Sequence, residues 1–452
     1  MMKPRATMLA ALAAVVVLGA AGCAPAAAPE EEDGPVTITV TGKPPADQPE
    51  QLKVFNDRID EFMADHPDIT VEGSDKNFDP QTFNAMLAGG TLPDLYVVYF
   101  TDSLSIVRNQ QAGDITDALE STGILEQLNP DTLELASDDE GQVFGVPFTA
   151  YALGLVYNRD LFTQAGLDPD KPPTTWEEVR EYAKQITEAT GVPGYGTMTQ
   201  TNTGGWMLTA ASYSYGGTIE NEDGTEATFD DGATAEYLEL LKEMRFDDKS
   251  IGDNILYNQA GIGEALASNR VGMFIGSPSS YQDATVTYGM NPESIGMGPM
   301  PQANGTNGTL TGGGVFMVSP ETTEAQKEAL ALYVKEVYLD AKLVEASAVD
   351  AAKANADQNL PVGLPELPVL SDADYESYLG WIGDYINVPL ANFDPYTASL
   401  ATMPLLIEPP VKAQDVYASL DPVIQAVLSD PDADIDALIA SAIDTVNGKI
   451  AR

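Results

Sequence analysis

The chain has 452 residues and is strongly acidic, because 69 aspartate and glutamate residues outnumber 22 lysine and arginine residues and give a net charge of −47. A surface of this sign repels nucleic acids and anionic lipids and disfavours polyanionic ligands. The single cysteine excludes an intramolecular disulfide and a thiolate metal cluster. The length is ample for two or more lobes that each have a hydrophobic core.

Residues 1–22 are typical of a secretory signal peptide. Two basic residues precede an apolar run over residues 8–18, which is shorter than the roughly 20 residues of a membrane-spanning helix. The small residues that follow end at Cys23, and Leu18–Cys23 resembles the lipobox of bacterial lipoproteins, although Ala20 stands where leucine is commonest. The resemblance implies that Cys23 is lipidated and becomes the first mature residue. A buried or free thiol is the alternative.

Residues 23–35 are predicted to form a tether, since they are rich in alanine, proline and glutamate and show no periodicity. Fully extended, such a segment reaches roughly 40 Å. We therefore expect an exported, extracytoplasmic protein that is held to the bacterial cell membrane only through its lipid anchor.

The rest of the chain alternates between strand and helix patterns. Strands are predicted at Val36–Val40, Ile69–Val71, Leu95–Phe100, Leu153–Tyr157 and Val271–Ile275. Helices are predicted over 52–62, Phe83–Leu87, Trp176–Thr190 and Ala233–Phe246, and mainly after Pro320. Interleaved strands and helices favour parallel βαβ units with helices on both faces of the sheet.

The sequence offers little for catalysis. His66, the only histidine, precedes a proline and is predicted to cap a helix, so no Ser-His-Asp or Cys-His arrangement is available. Gly312–Gly314 lacks the spacing and the lysine of a phosphate cradle. Asp430–Asp436 begins like a calcium-binding loop, but Ile435 replaces the required glycine, so we interpret it as a loop that caps the last helix. We expect no cofactor, no metal and no enzymatic activity, although so many acids leave a glycosidase-type carboxylate pair open.

Residues 141–178 carry the most specific pattern of the chain. They include Gly145-Val146-Pro147, Tyr157-Asn158, Leu161-Phe162, Ala165-Gly166 and Pro173-Thr174-Thr175-Trp176-Glu177-Glu178. In order and spacing, this block resembles the hinge strand and following helix of the family 1 extracellular solute-binding proteins, the maltose-binding-protein-like group. Weaker similarity covers most of the mature chain. By itself, the block predicts that Thr175 caps a helix and that Trp176 is a packing residue.

The resemblance implies an α/β, two-lobed periplasmic-binding-protein-like fold of class II, in which each lobe is a β-sheet flanked by helices. Hinge crossovers are expected near 149–153, near 309–314 and around 350–362. The implied segments are 36–148 for the first part of lobe 1, 149–308 for the hinge and the first part of lobe 2, 309–350 for the return to lobe 1, and 351–452 for the C-terminal helical part of lobe 2.

The resemblance also places the ligand in the cleft between the lobes, where aromatic faces and a few polar groups bind it. Tyr151 lies on the implied hinge strand, and Trp206 follows a Thr-Gly-Gly loop that can bring an indole into the cleft. Ser279 stands where many sugar-binding members have a stacking tryptophan, and Tyr281 is the predicted substitute. The other candidates are Asp102 at the end of a strand, Gly312 and Gly313 at a hinge, and Trp381 on an irregular segment.

These features together predict the lipid-anchored solute-binding subunit of an ATP-binding cassette importer. The expected ligand is a neutral mono- or oligosaccharide, the expected partners are the membrane permease subunits, and the expected form is a monomer. An exported glycoside-processing enzyme and a sensor or adhesion lipoprotein of the same fold are the alternatives.

Overall fold

The computed structural model of the protein describes residues 34–79, 82–221 and 223–451. The chain divides into two units, residues 1–34 and 35–452, and the second unit carries all the elements given below. The predicted signal peptide and the predicted lipidation site, Cys23, lie outside the described residues.

Two β-sheets organise the second unit. The strands are β1 Val36–Val40, β2 Ile69–Gly73, β3 Leu95–Tyr99, β4 Gly145–Ala152, β5 Gly154–Asn158, β6 Met273–Gly276, β7 Ile295–Gly298, β8 Thr309–Val318 and β9 Leu405–Leu406. The larger sheet has the order β2-β1-β3-β8-β4, with β9 paired to β8, and the smaller sheet has the order β6-β5-β7.

The prediction of parallel βαβ units throughout is wrong for much of the molecule. Strand β1 runs parallel to β2 and β3, whereas β8 runs antiparallel to β3 and β4. Strand β5 is antiparallel to both of its neighbours in the smaller sheet. Alternating helices and strands therefore gave the fold class but not the strand directions, which depend on pairings between segments distant in sequence.

Helices surround both sheets. In the first half of the chain they are α1 Pro49–Asp65, α2 Phe83–Ala88, α3 Phe100–Arg108, α4 Thr116–Ser121, α5 Pro130–Leu133, α6 Arg159–Gln164, α7 Trp176–Thr190 and α8 Thr203–Ser214. They continue with α9 Ala233–Phe246, α10 Gln259–Ala267, α11 Ser279–Gln282, α12 Glu324–Val334, α13 Asp340–Leu343, α14 Glu345–Asp357, α15 Asp372–Ile382, α16 Asp394–Leu400, α17 Ala413–Ser429 and α18 Ile435–Ile450. The predicted helices over Trp176–Thr190 and Ala233–Phe246 are confirmed.

Helix α7 shows how the sequence sets an element boundary. The Thr175 side chain accepts a hydrogen bond from the backbone of Glu178, whose carboxylate in turn accepts from the backbone of Thr175, so the predicted cap is a reciprocal capping box. Gly191 ends the helix in the left-handed conformation, with φ of 74°. At the end of α1, His66 is the predicted C-cap, and its ring lies 2.8 Å from a carboxylate oxygen of Glu336.

The chain crosses between the lobes on two adjacent strands. Strands β4 and β8 pair from Gly145↔Met317 to Ala152↔Thr311, with an irregularity after Pro147, which itself lies inside β4. The ladder tolerates this proline because it lies next to the bulge. Every residue of β8 is buried. The two crossovers predicted near 149–153 and 309–314 therefore lie side by side.

Each lobe has its own hydrophobic core, and the C-terminal part of the chain contributes to both cores. The first core comprises residues of β1–β4, the second half of β8 and α12, together with Leu367 and Leu370. The second core contains β5–β7 and, from Val388 onward, α16–α18. Between them, Leu364 packs against the second core, whereas Ala352, Val362 and Ile382 form a separate small cluster. The third crossover, expected around 350–362, stays a prediction.

Candidate functional site

A cavity of about 170 Å³ lies where the two lobes and the crossover strands meet. Lobe 1 contributes residues at the end of β3, the crossover strands contribute residues of β4 and β8, and lobe 2 contributes the first residues of α8, α10 and α17. Its lining residues are Tyr99, Thr101, Tyr151, Thr201, Asn202, Thr203, Trp206, Gln259, Gly313, Glu408, Gln414 and Tyr417. The predicted residues Tyr151, Trp206 and Gly313 are among them.

The crossover strands position Tyr151 through glycine. Tyr151 pairs with Gly312 across the β4–β8 ladder, and a Cβ at Gly312 would collide with the Tyr151 hydroxyl. A Cβ at Gly313 would collide with the Phe100 ring and the Thr149 carbonyl. Both glycines are therefore needed because side chains and backbone come close, not because their backbone is left-handed. Burial raises the pKa of Tyr151, with Glu408 and Tyr99 adding to the shift, so its hydroxyl stays protonated.

The loop before α8 has a conformation that its residues seldom adopt. Thr201 and Asn202 have φ of 56° and 68°, which is uncommon for a β-branched residue such as threonine. The carboxylate of Asp421 holds the loop, since it accepts backbone hydrogen bonds from Asn202 and Gly205, both at 2.8 Å. Strained backbone supported in this way is often found at ligand sites. Here it brings the first turn of α8 to the cavity.

Trp206 lies in that first turn and is half-buried. Its ring meets the Tyr151 ring edge-on, with centroids 6.4 Å apart. Its Nε1 is buried and has no hydrogen-bond partner within the described part of the chain. Such a donor is costly to leave unpaired. The Trp206 indole is therefore the clearest unsatisfied donor beside the cavity.

Glu408 is a charged residue of the cavity that was not predicted from the sequence. It is only 8% exposed and accepts hydrogen bonds from the hydroxyls of Thr101, in lobe 1, and Tyr417, in lobe 2, the latter at 3.1 Å. Burial raises its pKa to about 7, while the two hydroxyl donors oppose the rise. A lone carboxylate between the apolar run 403–407 and two prolines was the available signal.

The structure places Asp102 next to Glu408 rather than on the cavity wall. It lies in the first turn of α3, and its charge adds to the upward shift in the pKa of Glu408. Its Oδ2 is buried and has no partner among the described residues. Burial raises the pKa of Asp102 to about 6. Asp102 thus adds negative charge near Glu408 without lining the cavity.

Two predicted site residues lie elsewhere. Tyr281 is 3% exposed and packs edge-on against Phe393 in the core of lobe 2, so it does not replace the missing tryptophan at position 279. Trp381 packs against a small cluster that includes Ala348 and Ile382, beside lobe 1. The aromatic residues of the cavity that were not predicted are Tyr99, which is 59% exposed, and Tyr417, which is buried.

A family model described as bacterial extracellular solute-binding protein matches residues 46–342. The chain belongs to this family. The match extends through β8, α12 and α13 and so includes both crossover strands. It confirms the resemblance seen in residues 141–178.

Curated members of the family resemble the chain over part of their length. The sn-glycerol-3-phosphate-binding periplasmic protein UgpB of Escherichia coli K12 is 28% identical over 198 residues, which cover 40% of this chain and 44% of that protein. The corresponding protein of Shigella flexneri is 27% identical with the same coverage. The chain therefore matches less than half of the length of these relatives.

Solved structures match almost the whole chain and confirm the two-lobed fold. A solute-binding protein of Thermotoga lettingae bound to α-D-tagatose has a TM-score of 0.66 and 21% identity, and covers 92% of this chain and 100% of its own. A cyclic α-maltosyl-1,6-maltose binding protein of Arthrobacter globiformis has a TM-score of 0.66 and 23% identity, and the match covers 92% of this chain and 99% of that protein. UgpB of Mycobacterium tuberculosis, in complex with glycerophosphocholine, has a TM-score of 0.66 and 17% identity, and the match covers 92% of this chain and 98% of that protein.

Proposed function

We propose that this chain is the lipid-anchored solute-binding subunit of an ATP-binding cassette importer, and that it binds a carbohydrate between its lobes and delivers it to membrane permeases. The observation that carries the proposal is the composition of the cavity. Aromatic rings from both lobes surround hydroxyl, amide and carboxyl groups. Sugars present C–H faces that stack on rings and hydroxyls that need such partners.

The charges of the cavity argue against a phosphorylated ligand such as glycerol 3-phosphate. Among the described residues that line the cavity, none is lysine, arginine or histidine, whereas Glu408 is acidic. The positive end of α8 points to this region, but the Asp421 carboxylate already occupies it. A phosphate would therefore meet a carboxyl group and no cation.

The size of the cavity favours a small solute. About 170 Å³ is below the roughly 300–1,000 Å³ of sites for drug-sized ligands. A monosaccharide, a polyol or one end of an oligosaccharide fits this description better than a long oligosaccharide held along its length. We accordingly rank monosaccharides first.

Binding between lobes suggests a two-state mechanism. Glu408 joins Thr101 of lobe 1 to Tyr417 of lobe 2, so the groups that meet at the cavity already connect the lobes. A ligand that touches both lobes binds the closed state better than the open state, and this difference in affinity shifts the population toward closure. The closed form is then the one that the permeases receive.

The anchor part of the proposal depends on Leu18–Cys23. None of the described helices is long and apolar enough to cross a membrane. A diacylated or triacylated Cys23, followed by the tether, would keep the binding lobes beside the permeases. Cys23→Ser should move the protein from the membrane fraction to the soluble fraction while the ligand affinity stays the same. A variant that stays in the membrane fraction would contradict the anchor.

A ligand screen tests the carbohydrate assignment. Thermal unfolding of the purified protein should be followed with monosaccharides, oligosaccharides, polyols, amino acids and glycerol 3-phosphate. A ligand at 100 times its Kd stabilises the folded state by about 2.7 kcal/mol. The stabilisation should disappear in Trp206→Ala and persist in the matched control Trp381→Ala. If no sugar or polyol raises the unfolding temperature, the carbohydrate assignment is wrong. A separate assay tests the enzyme alternative, because hydrolysis of a chromogenic glycoside by the purified protein would identify a glycoside-processing enzyme.

A further inference from the structure

The cavity contains a buried carboxyl group, that of Glu408, which forms no ion pair with a lysine, arginine or histidine among the described residues. Glu408 accepts hydrogen bonds from the neutral hydroxyls of Thr101 and Tyr417, and the backbone N–H of Thr101 also donates to it. Its neighbour Asp102 adds a second acid, whose Oδ2 has no partner in the described part of the chain. The cavity thus has one buried acid, Glu408, in its wall, with a second acid, Asp102, behind it, and the described lining residues supply no basic side chain.

A buried carboxylate in such surroundings is energetically unfavourable unless a positive charge compensates it. An ionised carboxylate that leaves water is costly unless it is paired and hydrogen-bonded. Burial accordingly raises the pKa of Glu408 to about 7 and that of Asp102 to about 6, so a proton can compensate the charge in the empty cavity. A cationic ligand is the other source of compensation, and it would displace that proton.

The walls of the cavity suit a cation as well. Tyr99, Tyr151, Trp206 and Tyr417 line it, and the face of an aromatic ring attracts an ammonium group. A carboxylate has about four lone-pair positions, so Glu408 can accept further hydrogen bonds beyond those from Thr101 and Tyr417. An N–H donor in the cavity would therefore find both an acceptor and aromatic neighbours.

We propose that the preferred ligand is a sugar that carries an organic ammonium group, and that Glu408 accepts a hydrogen bond from this group. The inference rests on the proposed function and narrows its ligand class from carbohydrates in general to amino sugars. Glu408 is then a specificity-determining residue, which separates an amino sugar from the same sugar with a neutral substituent.

An ammonium group could also come from a choline headgroup, as in glycerophosphocholine. A quaternary nitrogen has no N–H to donate to Glu408, and the phosphate of glycerophosphocholine would meet an acidic cavity. The geometry therefore favours the amino sugar. Choline and glycerophosphocholine are included as separate arms of the experiment.

Isothermal titration calorimetry of the full-length protein tests the proposal with glucosamine, glucose and N-acetylglucosamine. The measurement is made at about pH 7, where an amine with the usual α-amino pKa is mostly protonated. Glucosamine should bind at least about tenfold more tightly than either neutral sugar, as expected for a charge-assisted hydrogen bond. Glu408→Gln should reduce this preference to near unity. The matched control Glu220→Gln removes a buried carboxyl outside the cavity lining and should keep the preference.

The outcomes separate this inference from the proposed function. Equal binding of the three sugars would overturn the inference and leave a carbohydrate-binding protein. Binding of choline ligands without glucosamine would also overturn it. Failure of every sugar to bind would overturn the proposed function itself. If Glu408→Gln does not fold, the comparison of the three sugars on the unmodified protein still decides the point.

Discussion

Two tryptophans begin helices in lobe 2, and their surroundings differ. Trp176 opens α7, is 2% exposed, lies among the rings of Tyr195, Tyr215 and Tyr237, and donates its Nε1–H to the Ser214 hydroxyl at 2.8 Å. Trp206 lies in the first turn of α8, is half-buried, and has an Nε1 without a partner among the described residues. The Nε1–H of the core tryptophan, Trp176, has a hydrogen-bond acceptor within the protein, whereas that of the cavity tryptophan, Trp206, has none among the described residues.

This difference separates residues that hold the fold together from residues that are available to a ligand. In a core, buried polar groups have partners because an unpaired group costs about 1–3 kcal/mol. In the cavity wall, Trp206 Nε1 has no partner among the described residues, and the Glu408 carboxyl has hydroxyl donors but forms no ion pair with a described residue. A bound solute can supply the missing partners.

The largest expected effect comes from truncating the two tryptophans separately. Trp176→Ala should lower the free energy of unfolding by about 3–5 kcal/mol, because it leaves a large cavity in the core. Trp206→Ala should change stability much less but should strongly weaken ligand binding. Urea unfolding and calorimetry on each variant measure the two quantities. If Trp206→Ala proves as destabilising as Trp176→Ala while the affinity is retained, the two residues have the same structural role and the distinction fails.

The same comparison applied to a carboxyl group predicts a pH dependence. Burial raises the pKa of Glu408 from its ordinary value of 4.5 to about 7 in the folded protein, so the folded state binds the proton more tightly than the unfolded state. Its contribution to stability is full below about pH 4.5 and is lost as the pH rises through about 7, which amounts to roughly 3 kcal/mol. Glu408→Gln should flatten this part of the stability profile.

Urea unfolding at a series of pH values and constant ionic strength measures that profile. Glu220 is a useful control, since burial raises its pKa to about 7 as well and it does not line the cavity. Glu220→Gln should flatten the profile without altering ligand affinity. If Glu408→Gln leaves the profile unchanged, the pKa of the Glu408 carboxyl in the folded protein is not raised and the prediction is wrong.

Replacing a glycine of the crossover strand β8 by alanine is expected to have an intermediate effect on stability and binding. Gly312→Ala should destabilise the protein by about 1–3 kcal/mol and weaken binding, because the new methyl group displaces the Tyr151 ring. Gly380→Ala is the matched control, since a Cβ there meets open space inside α15. It should leave binding unchanged and raise stability by about 0.5–1 kcal/mol. Thermal unfolding and calorimetry compare the two, and unaltered binding in Gly312→Ala would detach Tyr151 from the site.

Local signals made much of the fold predictable. The Thr175 capping box, the strand at β1 and the helices α7 and α9 all depend on residues close in sequence, and the structure has them. Strand directions depend on pairings between distant segments, and the parallel prediction was wrong for β4, β5 and β8, whose pairings are antiparallel. A local sequence pattern determines whether a segment forms a helix or a strand more strongly than it determines which other segments pack against it.

The candidate site divides in the same way. Tyr151 and Trp206 line the cavity, and a hinge strand and a glycine loop were the local signals that led to them. Glu408 was missed because it is one acid among 69, and only the approach of Thr101 and Tyr417 from separate lobes distinguishes it. Tyr281 was misplaced because an aromatic residue two positions from a family site looks the same in sequence whether it faces the cleft or the core.

The smallest expected effect comes from removing one hydroxyl from each of two tyrosines. Tyr151→Phe should weaken ligand binding by up to about tenfold, which corresponds to the roughly 0.5–1.5 kcal/mol of one hydrogen bond. Tyr281→Phe should change neither affinity nor stability by more than about 0.5 kcal/mol, because its ring packs on Phe393 and the ring is retained. Calorimetry with one ligand on both variants makes the comparison. An affinity that falls in Tyr281→Phe but not in Tyr151→Phe would reverse the assignment of the two rings to core and cavity.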